Sequence, residues 1–226
     1  MGSTFIPSRC AKIDKVGSNV LIRGNMPLLG DDLHYAYDEI ADASKVNIAA
    51  RKLVEMPIID NVGERAQFEP ILRAFGVDPA IYPESYWPPW QQKGYEPNRR
   101  LGSMVTTEDG GHAGSVVWRP FEGLPAGEDP KVFLSSPGWD YAGFIDHVIE
   151  ILHTEQDLAV YVHCQLGADR TGAFHIGYLM KMYGLTLTDA SQMANASTSA
   201  GPPNADYQRL VTAYANTLPR PEHRDD

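Results

Sequence analysis

The first sixty residues hold two apolar runs of strand length, separated by a stretch with helical spacing. Val20–Arg23 predicts a short strand, which ends at the turn-forming residues that follow it. Leu53–Ile59 predicts a buried strand. Between them, apolar residues three or four apart predict a helix that Asp31 or Asp32 caps and that runs through Ala41.

The middle of the chain is less regular. Ala66–Phe75 predicts an amphipathic helix, whereas residues 79–100 cluster prolines and aromatic side chains without the period of a helix or a strand. That segment is either an ordered surface loop, held in place by its own aromatic side chains, or a lid over a binding cleft. Leu101–Thr107 and Ser115–Phe121 predict a hairpin around a Gly-rich turn. Residues 122–130, rich in Gly and Pro, predict a loop.

The last third of the chain has the clearest pattern. Apolar residues between Tyr141 and Leu152 share one helical face, and Leu158–Val162 is a continuous apolar strand. A helix is predicted from Thr171 to about Tyr183, followed by two more near Thr188–Asn195 and Asn204–Leu218, with Thr188 and Asn204 as caps. Helix, strand, loop and helix in this order form an α/β unit, whose ligand site is expected at the carboxyl end of the strand.

The composition indicates a globular protein and argues against several other classes. The 226 residues, 43% of them hydrophobic and 21% charged, suit a single globular domain, and no run reaches the roughly 18 apolar residues of a membrane span. The first residues lack the pattern of a signal peptide. A net charge of −10 argues against nucleic acid or an anionic membrane as the main partner. Two cysteines, Cys10 and Cys164, are too few for a disulfide framework and predict a reducing, cytoplasmic setting.

The loop after the last apolar strand contains the candidate functional residues. It reads His163-Cys164-Gln165-Leu166-Gly167-Ala168-Asp169-Arg170-Thr171. Backbone N–H groups of a tight loop that enters a helix converge on one point and, with the helix dipole, make an anion site. A glycine within such a loop allows a backbone conformation that a Cβ would penalise. An arginine at its end can grip two phosphate oxygens with its planar fork.

The same positive field favours the thiolate form of Cys164. A thiolate beneath a phosphoryl group is a nucleophile for in-line displacement, which gives a cysteinyl phosphate that water then hydrolyses. Cys10 has no Arg six residues after it, since Val16 stands there. We expect Cys10 to be inert, or to pair with an oxidised Cys164 if the N-terminal arm reaches the site.

The loop resembles the signature loop of cysteine-dependent protein tyrosine and dual-specificity phosphatases. Gly177–Met180 on the next helix and Gly201–Leu210 are similar to later parts of dual-specificity domains, and Leu21–Pro27 is weakly similar to their first strand. The resemblance is firm over about residues 139–215 and absent over residues 79–100. It implies an α/β domain with a four- or five-stranded, mainly parallel sheet flanked by helices.

The resemblance also implies hydrolysis of phosphomonoesters without metal or cofactor. Cys164 would be the nucleophile, Arg170 the phosphate clamp, and Thr171 the hydroxyl that eases departure of the thiolate. His163 would hold the loop by hydrogen bonds. The remaining phosphate-binding residues of the loop would be Gln165, Leu166, Gly167, Ala168 and Asp169.

The resemblance also implies a proton donor to the leaving oxygen, an Asp on a mobile loop before the catalytic strand, and the sequence offers three candidates for it. Asp129 lies 35 residues before Cys164 in the Gly/Pro-rich loop and is the favoured candidate. Asp140, whose ordinary role would be at a helix start, and Asp169, which could orient Arg170 or cap a helix, are the alternatives.

The sequence predicts one phosphatase domain over residues 1–226, with an insertion at about 79–100 and a polar tail at 219–226. Its partner would be a phosphorylated protein or a small phosphomonoester, and its oligomeric state is open. A phosphoinositide or inositol-phosphate phosphatase is the alternative, because Asp169 stands before the Arg as in some relatives that act on phosphoinositides. A binding module that keeps the phosphate site without turnover is a third hypothesis.

Overall fold

The computed structural model describes residues 5–29, 35–59, 114–117, 121–136 and 139–219. Several predictions therefore lie outside the described residues: the helix at Ala66–Phe75, the 79–100 segment, the strand at Leu101–Thr107 and the tail beyond residue 219.

A five-stranded sheet forms the centre of the described structure. Its strands are β1 (Ala11–Val16), β2 (Asn19–Gly24), β3 (Lys52–Pro57), β4 (Gly114–Val116) and β5 (Leu158–His163). Their spatial order is β1-β2-β5-β3-β4, in which β1 and β2 pair antiparallel and the other neighbours pair parallel. The predicted mainly parallel sheet is confirmed.

In the described part of the chain, six α-helices accompany the sheet. They are α1 (Tyr37–Ser44), α2 (Pro130–Ser135), α3 (Tyr141–Thr154), α4 (Asp169–Tyr183), α5 (Leu187–Ala196) and α6 (Ala205–Ala215). The helix that follows the Cys164 loop, α4, contacts α3, α5 and α6 as well as β2 and β5. Every residue from Thr171 to Met180 is buried, so the helix that carries the end of the loop is anchored on several sides.

Two N-terminal features differ from the prediction. No strand was predicted at β1, because three of the six residues of this partly exposed edge strand, Lys12, Asp14 and Lys15, are charged and the adjacent Asp14 and Lys15 interrupt the alternation. The predicted cap of α1 at Asp31 or Asp32 is wrong: α1 begins at Tyr37 with Ala36 at its N-cap. Tyr35, two residues before the helix, forms an isolated antiparallel bridge with Leu28.

Three later boundaries also differ. α5 begins at Leu187, since the Thr186 hydroxyl rather than Thr188 caps it and accepts the Asp189 N–H at 3.1 Å. The predicted strand at Ser115–Phe121 is the shorter β4, which pairs parallel with β3. Helix α2 occupies the chain directly after the predicted loop. The cap of α6 at Asn204 is confirmed, because its side chain accepts the N–H groups of the first turn.

The carboxyl ends of the three central strands lie side by side. Gly24 of β2 and Pro57 of β3 are both in register with His163, the last residue of β5. The segments that follow these strands therefore start from one edge of the sheet, and Cys164 is the first residue beyond it.

Candidate active site

The backbone carbonyls of the Cys164 loop are all held by donors from the surrounding protein. Arg9 Nη1 donates to the Leu166 carbonyl at 2.7 Å, and Arg23 Nη2 donates to the Gly167 carbonyl at 2.6 Å. The other four bonds run from Ile58 N to His163 O (2.9 Å), His163 Nδ1 to Cys164 O (3.2 Å), Met26 N to Gln165 O (3.2 Å) and Gly172 N to Ala168 O (2.8 Å).

Four amide groups of the same loop have no partner in the part of the chain that the structure describes. The N–H groups of Gln165, Leu166, Gly167 and Ala168 have no acceptor among the described residues. Because a trans peptide directs each N–H away from the preceding carbonyl, these donors face away from the groups that hold the carbonyls. Together with the start of α4, they form a ring of donors suited to an anion.

Gly167 makes this loop conformation accessible. Its φ of +70° lies in the left-handed region, and a Cβ added there would lie 2.8 Å from the Gly24 carbonyl oxygen. A side chain would therefore meet both backbone strain and the end of β2. The glycine that the sequence analysis singled out is needed for the loop to sit against the sheet.

A cavity of about 560 Å³ opens over the loop. Its apolar part includes Phe133 and Trp139, whose rings stack at a centroid distance of 6.4 Å. The described residues that line it are Glu122, Gly123, Pro125, Phe133, Trp139, Cys164, Gln165, Leu166, Asp169, Arg170, Asn204, Asp206 and Tyr207. Five of the predicted site residues therefore share one cavity.

Cys164 lies at the base of the loop and is only 4% exposed. Its backbone N–H donates to Thr171 Oγ1 at 2.9 Å, which places the threonine hydroxyl beside the cysteine. The Arg170 guanidinium contacts the Glu122 carboxylate through Nη2 and donates from Nε to the Phe121 carbonyl at 3.2 Å. The cation that would clamp a phosphate is thus paired with a carboxylate of the same cavity.

Glu122 is the site residue that sequence reasoning missed. Besides Arg170, it contacts Tyr207, whose hydroxyl donates to Glu122 Oε2 at 2.7 Å. Burial raises the pKa of Tyr207 far above its ordinary value, so this hydroxyl remains a donor. The search by sequence considered only Asp residues, whereas any acid between the β4 region and the next helix was a candidate for this edge of the sheet.

The three predicted acids have other contacts. Asp129 caps α2, is exposed, accepts the Lys131 N–H at 3.0 Å and does not line the cavity. Asp140 caps α3 and accepts the Gly143 N–H at 2.9 Å. Asp169 lines the cavity, and its Oδ1 accepts the Asn204 N–H at 2.7 Å, which ties the loop to the start of α6.

A buried arginine supports the loop from below. Arg23 is 1% exposed, and besides Gly167 it contacts Nδ1 of His175 at 3.2 Å. Burial lowers the pKa of Arg23 to about 10, an effect that Cys164 and Cys10 oppose. Arg23 thus stands as a second cation near the nucleophile candidate. A charged residue inside an otherwise apolar strand was the sequence signal for it.

We expect His175 to make the free energy of unfolding depend measurably on pH. Burial, with Arg23 beside it, lowers the pKa of His175 from 6.5 to about 3. Below pH 6.5 the unfolded chain binds a proton that the folded chain does not, so the free energy of unfolding falls as pH falls toward 3. We expect His175→Asn, whose side-chain oxygen can still accept from Arg23, to reduce the loss of stability between about pH 7 and pH 5 by about 2 kcal/mol. Urea unfolding at both pH values measures this, and an equal loss in both proteins would contradict it.

Cys10 is buried and lies directly before β1, two strands away from β5. Burial raises the pKa of its thiol to about 12. Two strand spacings amount to about 9.6 Å, more than the roughly 7 Å between Cα atoms that a disulfide tolerates. A bond to Cys164 would therefore require movement of β1.

Within the described ranges, no group of three or more His, Cys, Asp and Glu side chains is arranged to hold a metal ion. In the same ranges, no helix is both long enough and apolar enough to cross a membrane.

Three solved structures are similar over most of the chain. Human DUSP28 is 14% identical, with a TM-score of 0.48 over 95% of this chain and 97% of that one. PTPMT1 in complex with PI(5)P is 11% identical, with a TM-score of 0.47 over 92% and 94%. Cydia Pomonella PTP-2 phosphatase is 16% identical, with a TM-score of 0.46 over 89% and 87%.

The sequence comparison covers the part of the chain that forms the site. Comparison with curated proteins gives no match. Residues 134–217, however, match the family model of the dual specificity phosphatase catalytic domain, and this range contains β5, the Cys164 loop and helices α3 to α6. Residues 134–217 of this chain are therefore similar to the catalytic domain of the dual specificity phosphatases.

Proposed function

We propose that this protein hydrolyses phosphomonoesters through a phosphocysteine intermediate on Cys164, with phosphotyrosine in proteins as its main substrate class. The unpaired amides of residues 165–168 around Cys164, with Arg170 in the same cavity, carry this proposal. A tetrahedral dianion uses several convergent N–H donors and a guanidinium fork, whereas a neutral ligand would leave them unsatisfied.

In the first step the Cys164 thiolate attacks phosphorus while Arg170 and the loop amides bind the non-bridging oxygens. The S–P bond forms, and the bond from phosphorus to the leaving oxygen breaks. The leaving oxygen takes a proton, and we assign the donor to Glu122, the carboxyl group that shares the cavity with Cys164. Glu122 must be protonated for this step, so its contact with Arg170 has to be released when the guanidinium binds the phosphate oxygens. Asp129 remains the alternative donor, with Asp140 and Asp169 after it.

In the second step a water molecule attacks phosphorus and the S–P bond breaks, which releases phosphate and regenerates the thiolate. The Thr171 hydroxyl accepts the Cys164 amide, so its own hydrogen is available to stabilise the departing sulfur. His163 keeps the loop in place through the Cys164 carbonyl.

The walls of the cavity favour one phosphate on an aromatic group. Phe133 and Trp139 offer a stacked aromatic surface, and Leu166 at the tip of the loop is 48% exposed. Among the described residues, the lining also holds three carboxylates, those of Glu122, Asp169 and Asp206, against one guanidinium, that of Arg170. Such a lining opposes a headgroup with several phosphates, which needs additional cations.

A substrate panel tests the proposal. We expect kcat/KM for a phosphotyrosine peptide to exceed that for phosphoserine peptide and for phosphoinositide vesicles by about tenfold or more. EDTA should leave the rate unchanged, and vanadate should inhibit. Faster hydrolysis of a phosphoinositide would favour the alternative substrate class. Phosphate binding without any release of phenol from an aryl phosphate would favour a module that binds but does not turn over.

A further inference from the structure

The carboxylate of Glu55 lies inside the protein, next to the strand that carries the nucleophile. Glu55 is in β3, directly opposite Tyr161 of β5, and is 0% exposed. The residues flanking it in the strand, Val54 and Met56, are buried and apolar. An ionised carboxylate in such surroundings costs several kcal/mol unless it is paired, so its partners identify its role.

Glu55 has two partners among the described residues. Tyr35 donates its hydroxyl hydrogen to Oε2 of Glu55, and Nε2 of His163 contacts Oε1. The second ring nitrogen of His163, Nδ1, lies 3.2 Å from the carbonyl oxygen of Cys164. A chain of buried contacts therefore runs from Tyr35 through Glu55 and His163 to the backbone of the nucleophile.

The contacts along this chain fit two arrangements of hydrogen atoms, which differ in the charge of His163. Both ring nitrogens lie near oxygen atoms, and a backbone carbonyl and an ionised carboxylate can only accept. If both ring nitrogens donate to these oxygens, the ring is an imidazolium. The positive charge also supplies the counter-charge that the buried Glu55 carboxylate requires. The other arrangement, in which a neutral Glu55 donates its hydrogen to Nε2, gives the opposite charge state at both residues.

We propose that Glu55 is a positioning residue that holds His163 as an imidazolium against the Cys164 carbonyl. The positive end of the Glu55–His163 pair faces Cys164, so the pair favours the thiolate and fixes the start of the loop. The proposal rests on the proposed function only in taking Cys164 as the nucleophile. Its tests need no substrate, so failure to hydrolyse any phosphate ester would refute the proposed function without affecting these measurements.

Other charged and ionisable groups also face Cys164 and contribute to its charge state. Among the described residues they are Arg23 of β2, Tyr161 of β5, Asp169 and Arg170 of α4, Asp206 and Tyr207 of α6, and Glu122. A substitution confined to Glu55 leaves all of them in place, so a change in thiol reactivity can be assigned to the Glu55–His163 pair.

The first measurement is the ¹⁵N NMR signature of the His163 ring in the wild-type protein at about pH 7. We expect both ring nitrogens to be protonated. In Glu55→Gln, which keeps the shape but removes the charge, we expect a neutral ring. A neutral ring in the wild-type protein would overturn the proposal, and this result is decisive even if the variant does not fold.

The second measurement is the rate of alkylation of Cys164 by iodoacetamide as a function of pH, read by mass spectrometry of the Cys164 peptide. At about pH 6 we expect Glu55→Gln to react about tenfold more slowly than wild type, with the two rates converging in alkali, where the thiol is fully ionised. Glu150→Gln, on the exposed surface of α3, is the matched control and should react as wild type does. Equal rates for Glu55→Gln and wild type across the pH range would overturn the proposal.

Discussion

Cys164→Ser is expected to abolish hydrolysis of a small aryl phosphate, lowering kcat by about four orders of magnitude or more. The serine hydroxyl stays protonated where a thiol ionises, so the S–P intermediate has no equivalent. The loop that binds phosphate should persist, because Arg9, Arg23 and Met26 hold its carbonyls, and the bond to Thr171 uses the backbone of residue 164.

Phosphate binding by calorimetry and release of nitrophenol from its phosphate ester measure the two halves of this prediction. Cys10→Ser is the matched control, since Cys10 does not line the cavity, and it should keep the wild-type rate. Normal turnover by Cys164→Ser would refute the phosphocysteine mechanism. Loss of phosphate binding would instead show that the sulfur, rather than the amides and Arg170, provides the affinity.

The sequence was sufficient to predict the part of the fold that carries the site. The strand at Leu158–Val162 is continuous and apolar because it is buried on both faces, and the observed β5 exceeds the prediction by one residue. Asn204 caps its helix through its own side chain, which is a local interaction that sequence records directly. The order of helix, strand, loop and helix then placed Cys164 at the carboxyl edge of the sheet.

Features set by distant contacts could not be predicted in the same way. β1 has too few apolar residues to be recognised from sequence. It is an edge strand that is held in the sheet by its antiparallel pairing with β2. The antiparallel bridge between Leu28 and Tyr35, two residues before α1, was not predicted either. Glu122 reaches the cavity because its partners, Arg170 and Tyr207, come from helices far along the chain.

Charged residues inside apolar strands were a signal that the sequence did offer. Arg23 and Glu55 each interrupt a buried run, and both prove to lie close to the loop that carries Cys164. Because a buried charge is costly unless it has a partner, such an interruption indicates a specific contact. Which residue makes that contact depends on the order of the strands in the sheet. This order cannot be derived from the residue pattern within a single strand.

Glu122→Gln is expected to lower kcat for a phosphotyrosine peptide by about 10²- to 10⁴-fold, the usual contribution of a general acid. Glutamine keeps the shape of the side chain. Its carbonyl oxygen can still accept from Arg170 and its NH2 group can donate to the Tyr207 hydroxyl, but it has no acidic proton to give. The loss should be much smaller for an ester of a strongly acidic phenol, whose leaving oxygen needs little protonation. The decrease of kcat in alkali that a general acid produces should also disappear in the variant.

Asp129→Asn is the matched control for this experiment. Asparagine caps helices about as well as aspartate, so the substitution should leave α2 intact and, if Glu122 is the donor, leave kcat unchanged. A leaving-group-dependent loss in Asp129→Asn, with none in Glu122→Gln, would return the role to Asp129.

The dependence on the leaving group also separates proton donation from support of Arg170. If Glu122 only orients the guanidinium, its substitution weakens phosphate binding and slows all esters by a similar factor, because every substrate uses the same clamp. If Glu122 donates the proton, the factor grows as the leaving phenol becomes less acidic. Measuring kcat for a series of aryl phosphates in wild type and Glu122→Gln therefore decides between the two roles: a steeper dependence in the variant identifies the donor, and parallel lines refute it.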